Sequence, residues 1–413
     1  MKSLFVSSLI GEIVAKISRL KGGHGSALPG LVVEKIDPNF LKKALNDLPY
    51  GVVVISGTNG KTTTTKIVVE LLRAAGLEVF TNPSGSNFTR GVVSSAISEM
   101  RRGKLKADIA VLELDEAHAV HFVSQVAPDY TLILNVLRDQ LDRFGEIDTT
   151  AKLLQKVAAK TKKTVILNRE DPLVLAMSAD DKQFFGYSEK VAKLFPNDDE
   201  IYSEKKRSKK PKALITLDEV DDDLAIYNIG QAKLKLRGAH NALNAAAALS
   251  LVKVILRDNF NTNAMLKSLA KVEPAFGRGE SFIIDGQPLE LILVKNPSGF
   301  RISLASQNNP RAATMIAIND CHADGRDMSW LWDVDFSMFN EVEMVSGVRA
   351  FDMTLRLEYQ NISAKEVEPD LKLALTDFLK SSSGQPKQIF ASYTAMLDLR
   401  KMIKNMTKVE KRK

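Results

Sequence analysis

The sequence predicts an α/β protein: a central, mainly parallel sheet followed by a smaller second α/β unit. Three observations carry that expectation. Short apolar runs of strand length alternate with helix-period segments from about residue 50 onward, the pattern of buried strands joined by crossover helices. The run Val52–Ile55 breaks at Ser56-Gly57 and passes through Thr58-Asn59-Gly60-Lys61-Thr62 into an apolar-periodic segment, Ile67–Leu72. Beyond about residue 275 the alternation restarts with a second set of strands.

Taken in order, residues 1–49 read as a helical N-terminal extension, broken by Gly22-Gly23, Leu28-Pro29-Gly30 and Asp37-Pro38. Its residues Leu4, Ser8, Ile10, Val14 and Ile17 recur at roughly helical spacing. They predict an amphipathic helix packed on the body, with a membrane-surface helix as the alternative. Glu12 and Lys16 interrupt the apolar run and no small-residue cleavage site follows, which argues against a signal peptide. Residues 50–275 form the central domain, with strands expected at Val52–Ile55, Val79–Thr81, Ile109–Leu114, Thr131–Asn135 and Thr164–Leu167. Helices such as Ile67–Ala75 and Ala151–Ala159 lie between them. A charged insert at about 190–225 reads as a surface excursion or an inserted hairpin, and the alanine-rich stretch Asn241–Val254 closes the domain as a helix. Residues 276–413 form the C-terminal α/β domain, with strands expected at Leu291–Val294, Thr314–Ile318, Glu343–Val345 and Gln388–Ala391.

The 413 residues can bury full-sized cores in two or three domains. The single cysteine, Cys321, excludes an internal disulfide and any four-cysteine zinc site. No run of 18 or more apolar residues is present, so no transmembrane segment is expected. The net charge of +7 is concentrated in Lys205–Lys212 and Lys408–Lys413. Such runs are solvated loops and tails, or they attract an anionic membrane surface or lipid-linked substrate. Aromatics are not interleaved with them, which argues against a nucleic-acid partner.

A strand, a glycine loop and a helix aim backbone amides and a helix N-terminus at one spot and favour an anion there. Gly57, Thr58, Asn59 and Gly60 form that loop. Lys61 adds a charge for the β/γ-phosphates of ATP, and Thr62 or Thr63 offers a hydroxyl for Mg²⁺. The general phosphate-loop pattern wants glycine where Ile55 stands, so the form present, GTNGKTTT, is a narrower one. A carboxylate at a neighbouring strand end should complete the metal site; Glu113 is the first choice and Asp115 the second, and plain surface acids are the alternative. Asn135, Arg138, Asp139 and Asp142 cluster past another strand end, as a site or as helix-face ion pairs. Asn241 and Asn244 share a helix face and can read an adenine edge. Arg278 stands at the junction of the two α/β units, either reaching a γ-phosphate or as an ordinary linker residue. Ile318–Asp335 holds five aspartates and both tryptophans, a density unusual for a linker and suggestive of a site. Cys321 and His322 are adjacent, which is poor geometry for a nucleophile–base pair.

The segments GTNGKTTT, NPSGSN (82–87), VLELDE (111–116), LRDQLDRFGEID (137–148), GAHNALNAAAA (238–248), GRGE (277–280), KNPSGF (295–300), NDCHADGRDMSWLWDVDF (319–336), GVRAFDMTLRLEY (347–359) and YTAMLDLR (393–400) together resemble the MurT family. That family lies within the Mur ligase and folylpolyglutamate synthase superfamily. The resemblance covers nearly the whole chain and implies a Mur-ligase-like ATPase domain followed by a MurT-type C-terminal domain. It implies ATP and Mg²⁺ as cofactors, with Lys61 and Glu113 in the catalytic machinery. The implied reaction activates the α-carboxyl of the D-glutamate of the lipid II stem peptide as an acyl phosphate, which ammonia converts to D-isoglutamine. The ammonia would come from a GatD-like class I glutaminase, whose catalytic triad Asp327 would complete. Location in the cytoplasm, peripheral at the inner face of the membrane, follows from such a substrate. Many members carry a four-cysteine zinc ribbon, which the single cysteine here rules out. The phosphate loop begins about fifty residues into the chain. Mur ligases that load UDP-linked precursors carry a nucleotide-sugar domain of roughly a hundred residues before it, so a substrate other than a UDP-sugar peptide is expected. Two other readings remain open at this stage: a stand-alone amino-acid ligase of the Mur or folylpolyglutamate synthase kind, and a non-catalytic ATP-binding scaffold.

Overall fold

The computed structural model describes residues 4–20, 27–82, 88–137, 147–195, 210–221, 223–236, 238–273, 278–305 and 312–410. Two compact units emerge: Met1–Val136 with Asp148–Glu273, and Leu137–Ile147 with Pro274–Lys413.

The first unit is built on a nine-stranded sheet, ordered β2-β3-β1-β4-β5-β6-β7-β8-β9. Its strands are β1 (Gly51–Ser56), β2 (Val79–Thr81), β3 (Ile109–Glu113), β4 (Tyr130–Ile133), β5 (Thr164–Asn168), β6 (Lys182–Tyr187), β7 (Ile215–Asp221), β8 (Leu224–Tyr227) and β9 (Gly230–Lys233). Pairing is parallel from β2 to β7, then antiparallel through β8 and β9. The central strands are buried along their whole length, as a parallel sheet covered on both faces requires. Alternate side chains go to opposite layers. Val53 and Ile55 join the core under the helices Lys61–Ala74, Ala239–Leu256 and Thr262–Leu269. Val52 and Val54 join the core under Thr89–Glu99 and Glu116–Gln125. That second layer also takes Val33, Phe40, Leu41 and Leu45 from the N-terminal extension. The alanine-rich helix is long and apolar enough to cross a membrane, yet Ala245–Leu249 are fully buried. Its small side chains let it lie close on β5, β6 and β7 as a core helix.

The second unit has a six-stranded sheet, β10-β11-β15-β12-β13-β14. Here β10 is Arg278–Ile284, β11 Gln287–Leu293, β12 Ala313–Ala317, β13 Glu341–Ser346, β14 Ser363–Glu368 and β15 Lys387–Ala391. Only the β10–β11 hairpin is antiparallel. One face packs Phe300, Trp330, Phe336 and Phe390 around the helices Pro297–Ala305 and Ala350–Glu358; the other packs Phe378, Met396 and Leu399.

The structure adds strands to those expected from the sequence: β6 to β10 and β14. Of these, β14 is an edge strand whose residues are all at least partly exposed, and β6 begins exposed, so neither carries an uninterrupted apolar run. Within the charged insert, β7 extends the sheet beside β6, while residues 196–209 lie outside those described.

Candidate active site

In the first sheet the connections leaving β1 and β4 run in opposite directions, which opens a crevice at their C-terminal ends. The glycine loop fills that position. Gly57 sits at φ +131°, where a Cβ would come 2.9 Å from the Asn135 carbonyl oxygen just beyond β4. Asn135 then locks the loop. Its carbonyl accepts from Thr58 N–H (3.0 Å), its Oδ1 from Asn59 N–H (2.8 Å), and its Nδ2 donates to Asn59 O (3.1 Å). Gly60, at φ +87°, caps the helix Lys61–Ala74, whose first backbone bond is Thr64 N–H to Gly60 O (2.9 Å). The amides of Lys61, Thr62 and Thr63 thus occupy the first turn, the part of a helix that attracts anions.

The charged groups sit behind this loop. Lys61 is buried and folded back: Nζ donates to Gly57 O (2.5 Å) and Thr58 O (3.2 Å) and lies 3.4 Å from Glu116 Oε1. Thr62 Oγ1 donates to Glu113 Oε1 (2.9 Å). The end of β3 is held by Asn82, which donates to Glu113 O (2.9 Å) and accepts from Glu113 N–H (3.0 Å). Glu116 is only 2% exposed, and its Oε2 has no hydrogen-bond partner among the described residues. A buried carboxylate oxygen left in that state costs several kcal/mol unless a ligand or cation meets it.

Several expected site residues therefore meet in one place. Lys61, Thr62 and Glu113 converge on the loop, and Thr63 is buried beside them. Asn244 lies over Gly60, where a glycine Cβ would come 2.5 Å from its Oδ1. This puts Asn244 against the glycine loop. Asn241, one turn earlier, is half-buried and accepts from Asn244 Nδ2 at 3.5 Å. Asp115, the second choice for a metal ligand, instead caps the helix Glu116–Gln125 by accepting from Ala117 N–H (3.4 Å). A carboxylate at an N-cap position is drawn to the orphan amides there. Asn135 works as the loop lock, while Arg138, Asp139 and Asp142 lie outside the described residues. Glu116 is the residue that sequence reasoning passed over: its 3.4 Å contact with Lys61, and the use of Asp115 as a helix cap, appear only in the fold.

Arg278 and Asp327 belong to the second unit. Arg278 opens β10, and its side chain is outside the described set. Asp327 is half-buried in the loop after β12, where its Oδ1 accepts from Ser329 N–H (2.9 Å). Three other aspartates of that loop hold structure. Asp324 is buried and accepts from Thr394 N–H (2.8 Å), Thr394 Oγ1 (2.5 Å) and Cys321 N–H (3.1 Å). Asp320 pairs with Arg349 (2.6 Å), and Asp335 accepts from Ser337 and Gln360. Hydrogen bonds from Ser337 and Gln360, with the Arg356 charge nearby, hold the Asp335 carboxyl below the usual range despite some burial. Arg356 itself donates to Leu331 O (3.0 Å) and Val334 O (2.5 Å) and lies 5.5 Å from the Trp332 ring. Trp330 is core, whereas Trp332 is exposed and meets Tyr359 edge-on at 4.9 Å. Cys321 and His322 are both exposed.

Comparison with known proteins follows this division. The Mur ligase middle domain model matches residues 55–252 and the MurT ligase C-terminal model residues 293–396. Among similar proteins is the MurT subunit of the glutamine-hydrolysing lipid II isoglutaminyl synthase of Streptococcus pneumoniae, 29% identical over 96% of this chain and 95% of that protein. The Staphylococcus aureus subunit of the same name is 29% identical over 86% of this chain and 87% of its own. The chain belongs to the MurT family. It is accordingly an ATP-dependent ligase with a role in peptidoglycan synthesis. Solved Mur-type ligases share the fold. The pseudomurein peptide ligase type C of Methanothermus fervidus superposes with TM-score 0.70 at 19% identity, covering 93% of this chain and 84% of that one. MurF of Thermotoga maritima, solved with ADP, gives 0.65 at 16%, covering 92% and 85%.

Proposed function

We propose that this chain phosphorylates the α-carboxyl of the D-glutamate in the lipid II stem peptide, and that ammonia from a class I glutaminase subunit then displaces phosphate to give D-isoglutamine. The observation that carries the reading is that a phosphate loop with buried Lys61, Glu113 and Glu116 stands in the same chain as a MurT-type C-terminal domain. In the activation step a substrate carboxylate oxygen attacks the γ-phosphorus of ATP and ADP leaves. In the second step ammonia attacks the acyl carbon and inorganic phosphate leaves.

The residues divide the work as follows. Lys61 swings from the Gly57 and Thr58 carbonyls to the β/γ-phosphates, where its charge offsets what develops in transfer. Thr62 and Glu113, a hydroxyl and a carboxylate 2.9 Å apart, suit a hard divalent cation, and the unpartnered oxygen of Glu116 adds a second acid to the set. Mg²⁺ held there would neutralise phosphate charge so that an anionic carboxylate can approach. Asn135 keeps the loop in its cradle shape, Asn244 backs Gly60, and Asn241 offers an amide to the base. Arg278 is assigned to the γ-phosphate on the same reading.

Asp327 is assigned to the glutaminase, completing its triad. An exposed apolar patch in the same unit supports a protein partner. Trp332 and Tyr359 touch, Phe351, Leu355 and Tyr359 recur at i, i+4 and i+8, and with Val348 just before the helix these apolar side chains are 49 to 70% exposed. The MurT relatives are themselves named as subunits. A lipid-linked substrate places the work in the cytoplasm, at the inner membrane face.

The test is an amidation assay with the chain copurified with its glutaminase, lipid II, glutamine and ATP. D-isoglutamine, ADP and phosphate in equal amounts are expected, and hydroxylamine should trap the acyl phosphate as a hydroxamate. ATP turnover that needs only a free amino acid, and joins it to the substrate, would instead establish a stand-alone ligase.

A further inference from the structure

The helix Leu4–Leu20 forms as its spacing predicts, but its packed side is turned from the expected one. Its contact side is small and polar. Ser7, Ser8 and Gly11 are buried, Ser7 Oγ donates to Asp37 Oδ2 (3.1 Å), and a Cβ at Gly11 would come 2.6 Å from Ile97 Cδ1. Of the residues expected to pack, Leu4 and Ser8 do so, Ile10 and Val14 are half-buried, and Ile17 faces out. The outward face carries Phe5, Val6, Leu9, Ile13 and Ile17, each 42 to 50% exposed. At 100° per residue these five fall within an arc of about 120°. Lys16 also falls in that arc, and its long stem can lie along apolar surface with the ammonium in water.

Phe5 adjoins a basic turn. A Cβ at Gly103 would come 2.9 Å from Phe5 Cα. Paired bonds between Arg101 and Lys104 (2.8 and 3.1 Å) close the turn, with Arg102 at φ +52° and Gly103 at +75°. Arg101, Arg102, Lys104 and Lys106 are all exposed, and none has an ion-pair partner among the described residues.

We propose that this face is a membrane-surface site: the stripe enters the interfacial layer of an anionic bilayer while the basic turn meets lipid phosphates. The packing argues for lipid. A helix that served only to close the core would bury Phe5, Leu9 and Ile13 and expose its serines. A protein interface would combine aromatic anchors with hydrogen-bonding groups, whereas this stripe is aliphatic apart from Phe5. A one-sided apolar stripe beside unpaired cations matches an anionic lipid surface in both polarity and charge. The site would hold the enzyme where a lipid-linked substrate lies. That link rests on the proposed function, but the site itself does not.

Co-sedimentation of the full chain with vesicles tests the proposal. Phosphatidylcholine containing phosphatidylglycerol should carry the protein down, and phosphatidylcholine alone should do so much less. Raising salt from about 0.1 M to about 1 M should release it, because the screening length falls from about 10 Å to about 3 Å. Arg101→Ala and Lys104→Ala should each weaken binding roughly fivefold. Leu9→Asp/Ile13→Asp should abolish it, with an unchanged melting curve as the check on folding. Should that pair fail to fold, the two basic-turn variants carry the test. Equal sedimentation of wild type and all variants would overturn the proposal, as would wild type left in the supernatant. A dimer split by Leu9→Asp/Ile13→Asp, without vesicle binding, would assign the stripe to a second copy and overturn it too. Vesicle binding needs no catalysis, so its failure and a failed amidation assay are distinguishable.

Discussion

The loops after β1 and β12 both leave the C-terminal edge of a parallel strand, and both are rich in polar residues. They use them differently. After β1, the loop is shaped by glycines at positive φ and by one asparagine, the charges beneath it, Lys61, Glu113 and Glu116, are buried, and Glu116 Oε2 has no hydrogen-bond partner among the described residues. After β12, the aspartates are mostly spent. Asp324 ties the loop to Thr394, Asp320 holds Arg349, and Asp335 caps its own turn. Asp327, by contrast, is half-buried and accepts from the backbone two residues on. Buried charge that lacks full compensation marks a site awaiting ligand; a high count of acids marks a scaffold as readily.

The largest expected effect tests the first loop. Lys61→Ala leaves Glu116 buried without its cation, so it should lower stability by roughly 3 kcal/mol and cut ATP-dependent turnover by about 10²-fold or more. Adding Glu116→Gln should restore much of the stability in urea titrations but none of the turnover. If the double variant is no more stable than Lys61→Ala, the pair is not the buried unit described. Gly60→Ala comes next. Its Cβ would strike Asn244 in a backbone conformation that costs a non-glycine residue about 1–2 kcal/mol. Asn244→Ala should relieve the contact but not the backbone cost, and isothermal titration with ATP reads both.

The second loop gives a sharper contrast. Asp324→Ala should cost about 1–3 kcal/mol through lost bonds to Thr394 and Cys321, whereas Asp327→Asn should change unfolding by less than about 0.5 kcal/mol. Equal losses would erase the distinction between scaffold and site. The smallest effect concerns Asp335. Its folded pKa is depressed, so its contribution is present above the ordinary aspartate value near 3.9 and is lost as pH falls through the folded one. Stability curves of wild type and Asp335→Asn should therefore run parallel above about pH 5 and converge below about pH 4. Divergence on acidification would reverse the sign.

The sequence made the central fold legible because buried parallel strands are continuous apolar runs, and the glycine loop announced itself by chemistry and spacing. Edge strands such as β14 were hidden because half-solvated residues leave no such run. Among the acids after β3 the sequence ranks Glu113 first and Asp115 second, but Asp115 is taken up as the cap of the next helix and it is Glu116 that lies against Lys61. The first helix shows the same limit. Its period was readable, but its facing was set by Ser7, Ser8 and Gly11 fitting against Ile97 and Asp37, a matter of tertiary contact.

The most direct test of the two-site account is to supply nitrogen in two forms to the complex. With glutamine, both Lys61→Ala and Asp327→Asn should fail to amidate lipid II. With ammonium in place of glutamine, Asp327→Asn should amidate as wild type does, and Lys61→Ala should still fail. Failure of Asp327→Asn with ammonium, or its full activity with glutamine, would contradict the assignment of that loop to the glutaminase.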